Sequence, residues 1–151
     1  MRNKQKGFSL IELLIVVAII LIIAAIAIPN LLRSKIAANQ ASAVASLRTL
    51  NTSAALFNTN YGLYPTAISS MAPSSAASST AADLIDSVLA TGTKSGYSFS
   101  WSGGTNGTYS ITAVPVTVNT TGTVYFFTDQ TMVIRSNPAA AATSGDLPIG
   151  N

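Results

Sequence analysis

From Phe8 to Ile28 the chain is apolar for 21 residues, broken by a single carboxylate, Glu12. At about 1.5 Å per residue that helix would measure roughly 30 Å, the hydrocarbon thickness of a bilayer. The next ionisable residue is Arg33. Such a segment can only be a helix in lipid or among other helices, so the remaining residues must build any water-facing domain by themselves. Only 9% of the residues are charged, against about 25% in ordinary soluble domains. The apolar excess therefore sits in this one run.

The segment is preceded by a short basic head, Met1 to Lys6, with Arg2, Lys4 and Lys6. Basic residues beside an apolar span favour the cytoplasmic side, which places the N-terminus inside and everything after about residue 30 outside. A cleaved secretory signal is the plain alternative, with Ala25-Ile26-Ala27 as its small-residue cleavage site. Its apolar core would be shorter, about 7 to 15 residues, and has no use for a carboxylate. With the head set aside, five basic residues face five acidic ones, so the formal +3 charge belongs to the head. No basic cluster interleaved with aromatics exists to hold nucleic acid. Cysteine and histidine are absent. That removes the usual ligands of zinc and haem, the Ser-His and Cys-His nucleophile pairs, and any disulfide framework. No cofactor and no metal site is expected.

Beyond the span, residues 29–61 carry a stripe: Ile36, Ala43, Leu47, Leu50, Ala54 and Phe57 recur at helical steps, with Asn39, Gln40, Ser46, Arg48 and Asn51 elsewhere. The helix thus continues as an amphipathic one. Pro29 lacks an N–H and crowds the preceding turn, which predicts a bend there or two stacked segments. Tyr61-Gly62 closes the helix and Pro65 prevents its resumption. Residues 62–95 read as a loop with a short helix over Ala81 to Thr91. From residue 96 to 136 the period changes to two. Tyr97, Phe99 and Trp101 share a face, a turn cluster follows, and Thr108 to Val116 resumes the alternation. Residues 123–129 and 131–136 form a second strand pair about a tight turn at Asp129 and Gln130. Residues 137–151 lack periodicity and read as a tail or strap. The expected fold is α+β: a long helix packed on an antiparallel sheet of about four strands.

A charge deep in a membrane costs about 2.5–3.5 kcal/mol, so Glu12 calls for a partner. The stretch from Lys6 to Ile20, KGFSLIELLIVVAII, with Pro29 further along, closely resembles the class III signal of type IV pilins and of the type II secretion pseudopilins. The resemblance is dense over residues 6–35 and general beyond them. It implies a leader, residues 1–7, cut after Gly7 by a membrane-embedded prepilin peptidase, with N-methylation of the new terminus at Phe8. It implies that Glu12 is neutralised by the N-terminal amine of a neighbouring subunit, so that Phe8 and Glu12 direct assembly, and that Pro29 marks a helix bend. The implied product is a homo-oligomeric helical filament, drawn from the inner membrane by an assembly platform and shown at the cell surface or in the periplasm. Adhesion, motility, DNA uptake and secretion would be properties of such a filament.

The alternative within the family is a pseudopilin of type II secretion; outside it, a membrane-anchored exported binding module that never polymerises. An enzyme is not expected, since Asp83 and Asp86 read as the polar face of a short helix. The resemblance is incomplete. The C-terminal disulfide of many pilins is ruled out by the lack of cysteine, and the pseudopilin calcium site would have only Asp129 and Asp146. Asn51, Asn106 and Asn119 sit in N-x-Ser/Thr triplets that chance can supply in so Ser/Thr-rich a chain. Tyr61, Tyr64, Tyr97, Phe99 and Trp101 read as sheet-on-helix packing.

Overall fold

A computed structural model describes residues 7–104 and 107–150. They divide into two compact units, one ending at Ser34 and one starting at Lys35. One helix, α1, runs from Leu10 to Tyr61 and contributes to both. It is a single element through Pro29, not two stacked segments. Pro29 offers no N–H to the carbonyl of Ala25, so the helix passes that point one hydrogen bond short.

In the first unit, every Leu, Ile and Val from Leu10 to Leu32 is exposed, from 80% at Leu10 to 43% at Leu32. Apolar on all sides, this stretch has no stripe to bury against a domain of its own. A soluble protein does not leave so large an apolar surface open; lipid or further helices must cover it.

The second unit buries the stripe. Ala43, Leu47, Leu50 and Ala54 are fully buried and Phe57 nearly so, steps of four and three that keep one face of α1 toward the core. Ile36, at the edge of the stripe, is half-buried. At about 1.5–3 kcal/mol for each buried Leu or Phe, this face is the main reason the unit coheres.

Against it stands a five-stranded antiparallel sheet in sequential order: β1 (Thr93–Lys94), β2 (Tyr97–Gly103), β3 (Tyr109–Pro115), β4 (Tyr125–Asp129) and β5 (Arg135–Asn137). Register follows the two-residue period. Phe99 faces Ala113 and Trp101 faces Ile111 across β2 and β3, and Ala113 faces Phe126 across β3 and β4. Tyr97, Phe99, Tyr109, Ile111, Ala113 and Phe126 join the core, with Trp101 half-buried at its margin.

The expected four strands become five because β1 is only two residues long, too short to show a period. It is joined to β2 through Ser95 and Gly96, both at positive φ (49° and 74°), the two-residue hairpin turn whose twist suits antiparallel strands. The last strand starts later than residue 131. Asp129 accepts the amide of Thr131 at 2.9 Å and its carbonyl accepts the amide of Met132 at 2.8 Å, which makes a turn at Gln130 and Thr131, and the chain pairs as a strand only from Arg135.

The short helix also shrinks. Only Ser87–Ala90 forms α2, with Asp86 at its N-cap accepting the Leu89 amide. Asp83 takes a left-handed φ of 53°. Residues 82–85 are tied instead to the preceding 3-10 turn, Ile68–Met71, as when the Leu84 amide donates to the Met71 carbonyl at 3.0 Å.

Residues 143–149 form a strap docked on β5. The Ser136 amide donates to Leu147 O, the Ile149 amide to Ile134 O, and Arg135 Nη1 to the Asp146 carbonyl at 2.8 Å. Asp146 fastens it: one carboxylate oxygen accepts the amide and hydroxyl of Thr143, the other Asn137 Nδ2 at 2.9 Å. These donors, the Thr143 amide foremost, hold the Asp146 carboxyl below its ordinary range.

Two polar residues of α1 outside the apolar stripe also lie inside. Ser46 and Asn51 are 5% and 4% exposed. Asn51 Nδ2 donates to Thr128 Oγ1 at 2.8 Å and its Oδ1 accepts the Tyr109 hydroxyl at 3.0 Å. Asn39 and Gln40 also reach across, to the Thr121 carbonyl and the Thr123 hydroxyl, each at 2.8 Å. This row of amides ties the helix to loop and sheet, a function that residue polarity alone conceals.

Candidate processing and assembly segment

The residues singled out for processing and assembly, Gly7, Phe8, Glu12 and Pro29, all belong to the first unit. Gly7 and Phe8 precede the helix. A Cβ built on Gly7 would meet nothing within 4 Å, and Phe8 is 85% exposed. Among the described residues, nothing crowds the bond proposed for cleavage between them. Pro29 lies 17 residues beyond Glu12, about 26 Å along the helix.

Glu12 has a partner that charge reasoning does not suggest. Its Oε2 accepts the backbone amide of Ser9 at 2.8 Å. Ser9 directly precedes the first helical residue, and its carbonyl accepts the amide of Leu13 at 3.3 Å. Ser-x-x-Glu is the spacing of a capping box, in which the carboxylate at the third helical position returns to the N-cap amide. The carboxylate also faces the positive end of the helix dipole. No hydrogen bond to the other oxygen, Oε1, is present among the described residues, whose one ion pair joins Lys94 Nζ to Asp86 at 3.0 Å in the other unit.

The remaining candidates are absorbed by the fold. Among the described residues no cluster of three metal-ligating side chains exists. Asp129 and Asp146 are turned to their own turns. Asn51 is buried with both amide atoms engaged; Asn119 is exposed in a tight turn at φ 65°; Asn106 lies outside the described residues. Tyr97 and Phe99 are core residues. Tyr109 is stacked on Trp101 at a centroid distance of 4.7 Å and lies against Tyr64 at the same distance. Burial pushes the Tyr97 and Tyr109 hydroxyls above their usual range.

A basic head, a span-length helix with one carboxylate in its first turn, and an α+β body define a class of protein, and comparison with known families agrees. Residues 2–28 match the prokaryotic N-terminal methylation motif, the prepilin signal. The homologues are pilins and a pseudopilin. The chain is 38% identical over 64 residues to the type II secretion system core protein G of Vibrio cholerae, covering 42% of this chain and 44% of that one. It is 60% identical over 47 residues to the type IV wide pilus major component of Thermus thermophilus, covering 31% and 35%. With the type IV major pilin of Myxococcus xanthus it shares 51% over 49 residues, covering 32% and 22%. The chain thus spans less than half the length of each of these relatives.

Proposed function

We propose that this protein is the structural subunit of a type IV pilus-like filament, made as a prepilin. Prepilin peptidase cuts after Gly7 and methylates the amine of Phe8. Residues 8–28 hold the subunit in the inner membrane with its N-terminus cytoplasmic and the α+β body exported. An assembly platform then draws it into a helical homopolymer. It performs no catalysis, in keeping with the structural character of its relatives.

The observation that carries this reading is the single carboxylate in the first turn of α1, whose Leu, Ile and Val side chains from Leu10 to Leu32 are all exposed. Buried alone in lipid, that charge costs about 2.5–3.5 kcal/mol. An ammonium at about 4 Å returns about 4 kcal/mol at an effective dielectric near 20, which covers the carboxylate's share of the cost and part of the ammonium's own. Processing creates such an ammonium at Phe8. Staggered neighbours place one chain's amine against the next chain's Glu12, and the pair sets their register, while the aliphatic surface around it packs against identical helices.

The match to core protein G favours a second reading, a short periplasmic pseudopilus serving secretion. Loss of secreted enzymes with surface fibres intact would select it over an external pilus. The primary test is intact mass and N-terminal sequencing of protein from native membranes, which should begin at a singly methylated Phe8. A retained Met1, or a terminus after Ala27, overturns the proposal. Glu12→Ala should insert and be cleaved yet give no filaments; wild-type filament yield from that variant would show that the carboxylate has no part in assembly.

A further inference from the structure

Glu12 presents its two carboxylate oxygens unequally. Oε2 is occupied by the Ser9 amide at 2.8 Å, while Oε1 has no hydrogen-bond partner among the described residues. A glutamate free in all its side-chain torsions would have to be ordered at the moment a partner arrives, losing rotamer freedom. Here that freedom has already been removed by the chain's own backbone, two residues past the proposed cleavage site. Removing residues 1–7 leaves the Ser9 amide in the chain, so maturation retains both donor and acceptor.

We propose that the Ser9 backbone amide is a positioning group for assembly: it clamps Oε2 and so fixes Oε1 as the acceptor for the neighbouring subunit's α-amine. This rests on the filament reading above and adds to it a division of labour within one carboxylate. Charge supplies the attraction, and the cap supplies the direction. The Ser9 side chain is given no part, since its hydroxyl makes no hydrogen bond among the described residues.

Substitutions at position 12 separate the two contributions. Glutamine keeps the reach to an N-cap amide but has no charge, whereas aspartate keeps the charge but is one methylene too short for the capping-box return. The full-length chain is examined first as unassembled subunits in nanodiscs, through the amide proton shift of Ser9, and then for filament yield in cells. The Ser9 amide should keep its hydrogen-bonded shift in wild type and Glu12→Gln, and Glu12→Asp should move it to that of an unbonded amide. Filaments should form in wild type and Ser9→Ala, be lost in Glu12→Gln, and fall at least tenfold in Glu12→Asp although that charge remains. A Ser9 shift unaffected by Glu12→Asp, or wild-type filament yield from Glu12→Asp, overturns the positioning role alone. An absence of filaments from the wild-type chain overturns the filament reading and this proposal together.

Discussion

Replacing Asn51 by alanine should damage the second unit more than the loss of one surface-type residue would. Asn51 is 4% exposed, Tyr109 3% and Thr128 0%, so no water replaces the amide. The variant deprives two buried hydroxyls of their partner at once. A buried polar group left unpaired costs about 1–3 kcal/mol, and two of them amount to about 2–6 kcal/mol. For a unit of this size that is a fall in Tm of roughly 10–20 °C. Tyr109→Phe removes one hydrogen bond and leaves Asn51 Oδ1 bare, about 1–2 kcal/mol. In the double variant one of the orphaned hydroxyls no longer exists, so the two effects should fall short of their sum by about 1 kcal/mol. The measurement is thermal unfolding of the full-length chain in detergent micelles, followed by near-ultraviolet circular dichroism. Trp101, the only tryptophan, gives a second signal through its stacking on Tyr109. Strict additivity, or a shift under about 2 °C for Asn51→Ala, would refute the claim that this amide joins helix to sheet.

Asp146→Ala should release the strap and leave the sheet intact, seen as faster hydrogen exchange at the Ser136 and Ile149 amides with β2 and β3 unchanged. The same opening should follow acidification. The Asp146 carboxyl lies below its ordinary 3.8 when folded, so its contribution is complete above pH 3.8 and is lost as pH falls through the folded value; exchange rates unchanged on acidification through that window would count against it. Gly122→Ala should cost about 1–3 kcal/mol, because the added Cβ would strike the Tyr97 ring, whose hydroxyl donates to the Val124 carbonyl at 2.8 Å. A Tm within about 2 °C of wild type would show that the ring moves aside freely.

What could be read from the sequence follows the reach of each interaction. The stripe from Ala43 to Phe57 and the alternation through β2 and β3 are local periods, and both appear where the pattern places them. β1 escapes because two residues have no period, although Ser95-Gly96 carries its turn. The burial of Asn51 is not foreseen because Tyr109 and Thr128 stand 58 and 77 positions away, beyond any window that weighs polarity alone. At the processing segment the apolar run and its lone acid are plain. The spacing from Ser9 to Glu12 also encodes the cap, but next to a carboxylate in a membrane span the charge is the louder feature.

The sheet order, β1 to β5 without a crossover, bears on how the domain comes into being. A chain is made from its N-terminus, and here the apolar face of α1 is finished before any strand exists. Each new strand then finds its neighbour already in place, separated by one short loop, so no pairing waits on a distant segment and little loop-closure entropy stands in the way. Growth is by accretion at one edge. Chains halted after β3, after β4 or before the strap should therefore hold progressively more of the same architecture, each a smaller edition of the final domain with its newest strand as the rim.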